Sequence, residues 1–322
     1  MVNIYFYKSV QDYHNNVKSH NTINYSKKDF IRYLINAGGF RNQRISFNGI
    51  RFYLNLVRMA LKENNGNFYI TSDFSNSESS IKAAISYFIG ILSAYAIADK
   101  HYNIPYLFHL KDPIITNITR YKDYNNIPDF FGLKNGANNS PVLLEAKGTV
   151  KSKLGKDIIS NAKKQLSAIN SINFITSNGS HTISTFERHI TGSYFKKGEL
   201  YFCDVDPEFD GHLEYYLDAN VAILRYYKNI MELLISSKKK IEVKRIEEVE
   251  YSIVDFEGYQ VGINTGIFNL LREYSGYFYN LPDDCELYNS ITEISMFGYE
   301  NTPVSLRENN SISLGRDGII IF

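Results

Sequence analysis

Apolar positions along the chain switch between a period of two and a period of three to four, and each switch marks an expected element. A short strand is expected near Ile4–Tyr7. "SKKDFIRYLINAGG" follows as a helix stopped by Gly38-Gly39. In "FNGIRFYLNLVRMALKENN", Phe52, Leu56, Met59 and Ala60 fall on one side of a second helix, and "NFYIT" reads as a strand behind it. Ser75 and Glu78 form the S-x-x-E pattern of a capping box. The helix they introduce, Ala83–Ala98, is apolar nearly all round and ends near Asn103, as a buried helix does. "IPYLFHL", "PDFFGL" and "PVLLEAKG" read as strands, the last two joined through the turn-forming "KNGANNSP". Ile158, Ala162, Leu166 and Ile169 recur at helical spacing in "GKDIISNAKKQLSAINSI". "NFITS", "HTISTF" and "ELYFCDVDP" are further strand candidates. "YYLDANVAILRYYKNIMELLISS" reads as one long amphipathic helix, and the remainder mixes strands ("EYSIVDF", "GIIIF") with a helix, "IFNLLREYSGYF".

This order predicts an α/β protein in three parts: a mainly helical region over 1–80, a mixed-sheet core over 81–210, and an α+β region over 211–322 for recognition or assembly. Within the first part, helix, turn, helix and short strand is the order of a winged helix. Arg41, Arg44, Arg51 and Arg58 lie in or beside the second helix, interleaved with Phe40 and Phe47. DNA contact is the sharper reading of those arginines, and a solvated amphipathic helix the plainer one.

Composition narrows the function classes. The 322 residues are 44 % hydrophobic and 21 % charged, an ordinary globular balance, and the formal net charge of +1 excludes a protein that coats nucleic acid through overall basicity. Any nucleic-acid contact has to come from a local patch. Cys203 and Cys285 show no metal-type spacing and make no disulfide framework, so buried free thiols in a reducing cytoplasm are expected. The start "MVNIYFYKSV" has no secretory pattern. The apolar Ala83–Ala98 stretch is shorter than the ~20 residues of a membrane span, so no membrane role is expected.

The chemistry concentrates in "IPDFFGLKNGANNSPVLLEAKGTV". Strand alternation puts Leu143, Glu145 and Lys147 on one face and Leu144 and Ala146 on the other. A hairpin through "KNGANNSP" carries Asp129 back to the end of the strand where Glu145 and Lys147 lie. Two carboxylates brought together repel unless a cation neutralises them. Mg²⁺ suits such a site because it takes oxygen ligands from one or two carboxylates, water and phosphate. A lysine beside it steadies charge on a phosphate under attack. Phosphodiester hydrolysis needs these parts. A second Glu-x-Lys, Glu242-Val243-Lys244, has no Pro-Asp at hairpin distance before it, and Pro282-Asp283 has no Glu-x-Lys after it.

The Pro128-Asp129 … Glu145-Ala146-Lys147 pattern resembles the signature of the PD-(D/E)XK nucleases, the restriction-endonuclease-like superfamily. The resemblance covers Tyr102 to Asp210, about a third of the chain. It implies a mixed sheet flanked by helices, in the order helix, three strands, helix, strand, with "NFITS" or "HTISTF" as the closing strand. It implies Asp129, Glu145 and the Ala146 carbonyl as ligands of Mg²⁺, for which Mn²⁺ substitutes, and Lys147 as the catalytic lysine. Gln165 stands where relatives carry a helix glutamine at the site, although Ile169 replaces the tyrosine of their Gln-x-x-x-Tyr form. Glu78 is the acid nearest the first helix of that core.

Around the motif, Lys151, Lys153, Lys156, Lys163 and Lys164 face only Asp157 in opposition, a local positive ridge suited to a phosphate backbone. The expected activity is thus a metal-dependent endonuclease in bacterial restriction or anti-phage defence, with DNA as substrate ahead of RNA. A homodimer, or a separate ATPase or sensor subunit, is the expected partner, because no P-loop occurs in the chain. The alternative is a non-catalytic nucleic-acid-binding or scaffold subunit on the same fold. His109, His181 and His189 show no metal-ligand spacing, and Lys238-Lys239-Lys240 reads as a helix C-terminal cap.

Overall fold

The structure is a computed structural model and describes residues 1–37, 46–112, 115, 127–134, 140–208, 213–237, 240–274, 281–282, 285–308 and 310–322. Expectations for Gly38-Gly39, Phe40, Arg41, Arg44, most of the "KNGANNSP" turn, the Asp210 boundary, Lys238-Lys239 and Asp283 lie outside the described residues. The first stretch runs β1 (Val2–Tyr7), α1 (Val10–Asn15), β2 (Ser19–Ile23), α2 (Lys27–Ala37), α3 (Phe47–Ala60), β3 (Leu61–Asn64), β4 (Asn67–Ile70) and α4 (Ser72–Asn76). The middle runs α5 (Ser79–Lys100), β5 (Leu107–His109), β6 (Phe130–Leu133), β7 (Pro141–Gly148), α6 (Lys156–Leu166), β8 (Ile169–Thr176), β9 (Gly179–Ile183), β10 (Glu187–Lys196) and β11 (Glu199–Val205). The last stretch runs β12 (Leu213–Asp218), α7 (Ala219–Tyr226), α8 (Lys228–Ser236), β13 (Glu242–Ile246), β14 (Val249–Phe256), β15 (Tyr259–Asn264), α9 (Thr265–Glu273), α10 (Leu287–Glu300), α11 (Val304–Glu308), β16 (Ser313–Leu314) and β17 (Ile319–Ile321).

These elements build a mixed α/β fold. The large sheet runs β2-β1-β11-β10-β7-β6-β5, with β4 paired to β11 and β3 to β4. β6 and β7 are antiparallel, whereas β7 and β10 are parallel, so a mixed stretch β5-β6-β7-β10 lies at one side of the sheet. Smaller sheets run β12-β8-β9 and β13-β14-β15-β17-β16.

"NFITS" and "HTISTF", the expected closing strands, do not join the large sheet but form β8 and β9 of a separate one. The strand parallel to β7 is β10, a segment that does not read as a strand because Arg188, His189 and Gly192 interrupt its apolar run. Arg188 survives burial there by donating to the carbonyls of Leu166 (3.4 Å) and Ile169 (3.0 Å).

The region over 1–80 gives more of its described residues to α1–α4 than to strands, but it also supplies β1 to β4, and β1 and β4 pair directly with β11. The helix, helix, hairpin order of a winged helix is present, but its hairpin continues the large sheet. Its arginines are also engaged: Arg51 and Arg58 pair with Glu257, Arg58 at 3.5 Å. The buried side of α3 is Ile50, Leu54, Val57 and Ala60, leaving Phe52 exposed. Two stripes of that helix satisfy the same spacing, and contacts with α2 and α8 select one of them.

Three further expectations change. Ser75 does not cap α5. It belongs to α4, capped by Thr71, and its hydroxyl donates to the Thr71 carbonyl at 2.9 Å, while Glu78 occupies the α5 N-cap without a side-chain bond. α6 ends at Leu166, and Ile169 opens β8. The long helix divides: "YYLD" ends β12, Asp218 caps α7, and the chain breaks at buried Tyr227, whose hydroxyl donates to the Asp317 carbonyl at 2.5 Å. α5 spans 22 residues and, among the described residues, is the helix long and apolar enough to cross a membrane, with 72 % of its apolar window buried inside the protein. Cys203 and Cys285 are buried and free, as expected.

Candidate active site

β7 is the strand on which the site is built. Its register with β6 begins at Phe130 opposite Leu144, so Glu145 to Gly148 run past the first residue of β6. Asp129, just before that residue, lies beside the free end of β7. Two backbone-to-carboxylate bonds tie the ends together: the Asp129 N–H donates to Glu145 Oε2 at 3.0 Å, and the Ala146 N–H donates to Asp129 Oδ2 at 3.0 Å.

Alternation along β7 divides its labour. Leu144, Ala146 and Gly148 face α5, where backbones approach so closely that a Cβ on Gly90 would stand 2.6 Å from the Lys147 carbonyl carbon. Glu145 and Lys147 take the opposite face, toward α6. Lys147 Nζ donates to Glu145 Oε1, and to Gln165 Oε1 at 2.9 Å. Gln165 Nε2 in turn donates to the Ile127 carbonyl at 3.5 Å, so α6 is tied to the segment that carries Asp129. On the far side of β7, β10 places Ile190 opposite Glu145 and Gly192 opposite Lys147. Asp129, Glu145, Lys147 and Gln165 thus meet at one end of the hairpin.

The two acids are deeply buried, Asp129 at 3 % and Glu145 at 1 % exposure. Burial, followed by the charge of Asp129, pushes the Glu145 carboxyl up to about 8, against the pull of Lys147 and Lys111. Lys111 is the member that sequence reading missed. Its Nζ donates to Asp129 Oδ1 at 2.6 Å. It sits just past β5, and the Leu110 N–H donates to the Asp129 carbonyl at 2.9 Å. Only the pairing of β5 with β6 brings it there, and no local pattern around "HLKD" announces it.

The donor set is all oxygen and suits a hard cation: two carboxylates that repel each other, and the Ala146 carbonyl on the strand between them. Among the described residues no group of three or more His, Cys, Asp or Glu side chains gathers as a metal site, so a metal here would rest on this two-carboxylate set. Glu78 stands at the N-cap of α5, and the structure gives it no bond to these residues.

The predicted lysine ridge is only partly assembled. Lys153 turns toward α1, donating to the Tyr13 carbonyl at 2.9 Å and lying 4.4 Å above the Tyr13 ring. Lys163 pairs with Glu208. Lys151, Lys156 and Lys164 are exposed.

A second polar cluster lies on the other face of the sheet. His189 Nδ1 is 2.9 Å from Asp204 Oδ1, and the Tyr102 hydroxyl donates to Asp204 Oδ2 at 2.5 Å. Burial lowers the affinity of His189 for its proton, but Asp204 and Glu187 outweigh it and raise the imidazole to about 9. His189 thus pairs with Asp204 and lies 3.6 Å from Glu187 through its Nε2.

No family model matches the chain, and no curated protein or solved structure matches it either.

Proposed function

We propose that the chain is a divalent-metal-dependent nuclease that hydrolyses phosphodiester bonds, an endonuclease acting on DNA in bacterial restriction or anti-phage defence. The observation that carries this reading is the meeting of Asp129, Glu145, Lys147 and Gln165 at the end of the β6–β7 hairpin. The order α5, β5, β6, β7, α6, with β10 following β8 and β9 of a separate sheet and pairing with β7, supports it as well, because the resemblance implies the order helix, three strands, helix, strand.

Asp129, Glu145 and the Ala146 carbonyl would hold Mg²⁺ or Mn²⁺. When bound, the ion would supply Lewis-acid polarisation of the phosphate and offset the charge of the two acids. Lys147, held between Glu145 and Gln165, keeps its ammonium beside the carboxylates, where it can donate to a phosphate oxygen on which charge builds. Gln165 acts as a positioning residue that fixes the lysine. Exposed Lys151, Lys156 and Lys164 would meet the nucleic-acid backbone outside this centre. A homodimer or a separate ATPase or sensor would organise or trigger cleavage.

One observation favours a non-catalytic nucleic-acid-binding subunit instead: Lys111 and Lys147 already balance both acids. Supercoiled DNA, linear DNA and RNA incubated with Mg²⁺ or Mn²⁺ separate the readings. Cleavage by the wild type that Glu145→Ala and Lys147→Ala abolish is the expected result. Cleavage that survives both substitutions rejects the site, and binding without cleavage of any nucleic acid favours the scaffold.

A further inference from the structure

One face of the large sheet carries a row of aromatic rings that the nuclease reading leaves unused. Strand register defines that face. Gly192 on β10 lies opposite both Lys147 on β7 and Cys203 on β11, and Tyr5 on β1 lies opposite Cys203. Paired residues share a face, and every second residue returns to it. Tyr194, Tyr201, Tyr5 and, through β2, His20 therefore stand on the face that carries Glu145 and Lys147. We propose that these rings and the lysines around them bind single-stranded nucleic acid.

The first support is the row itself. Tyr194 stacks with Tyr201 and Tyr201 with Tyr5, each pair with ring centroids 5.7 Å apart, and the His20 ring lies 5.2 Å from Tyr5. On the opposite face Ile4, Leu200 and Phe202 are buried, Phe202 against Tyr25 and Phe30. On the row's own face Tyr5 and Tyr201 are half-buried and His20 is exposed. Exposed rings accept the flat face of an unpaired base, whereas a duplex keeps its bases stacked on one another.

The second is charge. Lys18 Nζ lies 3.6 Å from the centre of the Tyr5 ring. Burial, then the charges of Lys196 and Lys153, lowers the Lys18 ammonium below the ordinary lysine value. Lys18 and Lys196 are exposed, and neither forms an ion pair among the described residues. Lys153 donates to the Tyr13 carbonyl, which leaves its charge in place. Glu199 lies opposite Lys196 in register, but it accepts from Asn3 at 3.5 Å and from the Tyr201 hydroxyl at 3.4 Å. One acid does not balance three lysines, and the phosphates of a strand would relieve their repulsion. A base that stacks on Tyr5 displaces the Lys18 ammonium toward those phosphates, because stacking outweighs an exposed cation–π contact.

The third is place. Tyr194 is two residues along β10 from Gly192, the partner of Lys147, so the row begins ~7 Å along the strand from the lysine's position. A single strand held there deepens the nuclease reading, and its role as substrate rests on that reading. Its binding is measured without cleavage.

The test is fluorescence anisotropy of the full-length protein with labelled oligonucleotides in the presence of a chelator. Oligothymidylate is expected to bind about tenfold more tightly than a duplex of equal length, and about tenfold more tightly than an abasic strand with the same number of phosphates. Tyr5→Leu and Tyr201→Leu keep apolar bulk and lose the ring, and each should weaken binding of oligothymidylate about tenfold. Lys196→Gln should lower the salt dependence by about one phosphate contact. Equal or tighter binding of the duplex overturns the proposal. So does binding that both tyrosine variants leave intact, or no binding at all. Polyglutamate that competes as well as unlabelled oligothymidylate assigns the face to an acidic protein and overturns it too. Circular dichroism reports whether the tyrosine variants fold. If they do not, the duplex and abasic comparisons, made on the wild type, carry the same test. Oligouridylate set against oligothymidylate distinguishes RNA from DNA as the source of the strand. Wild-type protein that holds the strand but cleaves no nucleic acid with Mg²⁺ or Mn²⁺ shows that the nuclease reading has failed and this one stands. Cleavage that Glu145→Ala abolishes, without any preference for single strands, shows the converse.

Discussion

Glu145 sits where its surroundings resist its ionised form, because burial and Asp129 both disfavour the charge. Glu145→Gln removes the repulsion but turns its amide NH2 toward one of the two donors, the Asp129 N–H or Lys147, that the carboxylate accepts from. Its melting temperature is therefore expected to stay near that of the wild type, while cleavage falls by roughly a hundredfold or more. A protein that melts far lower would show that the acid serves stability, as in an ordinary ion pair. His189 gives the opposite kind of prediction. Its folded-state value of about 9 lies above the ordinary imidazole value, so its stabilising contribution is fully present below pH ~6.5 and is lost as the pH rises through about 9. Urea unfolding of the wild type should show stability declining across that window, and His189→Gln should flatten the decline. Asp129, Glu145 and Lys147 were legible in the sequence because a period of two and a turn suffice to bring them together. Gln165 was legible through the family resemblance alone. Lys111 was not, since its place depends on a strand pairing between segments whose order in the sheet no local pattern records.

Among the elements, β7 and α5 form the tightest joint. A Cβ at Gly148 would overlap the backbone carbonyl of Ser86, and Gly90 meets β7 from the other side of the same contact. Gly148→Ala is therefore expected to cost about 3 kcal/mol in chemical denaturation, because backbone cannot move aside as a flexible side chain would. A cost below ~0.5 kcal/mol would mean that the helix floats on the sheet. The elements themselves were legible where one period ran unbroken, as in β6, β7, α2 and the body of α5. They were misread where tertiary demands cut across the pattern. β10 keeps Arg188 buried because nearby carbonyls accept from it, and α3 buries one of two equivalent stripes according to its neighbours.

Across the molecule, a buried ionic network fastens distant segments. Arg32 on α2 reaches Asp99 on α5 at 2.5 Å and lies 3.9 Å from Asp317, just before β17, while the Tyr226 hydroxyl donates to Asp317 at 2.7 Å. Arg32→Ala leaves these acids with too little positive charge in the interior, and urea unfolding should register a loss of about 3–5 kcal/mol. A loss near zero would show that water replaces the guanidinium. None of these partners could be matched from the sequence, since residues 32, 99 and 317 are joined only by the final packing. The three-part division drawn from the sequence likewise missed that β1 and β4 share one sheet with β11. The partition of β7 has an outcome for lineages as well as for folding. Its even positions carry the joint with α5 and its odd positions carry Glu145 and Lys147, so the two can be inherited separately. A descendant can discard Glu145 and Lys147 and keep its architecture, but one that discards Gly148 loses the ground on which any chemistry could be rebuilt.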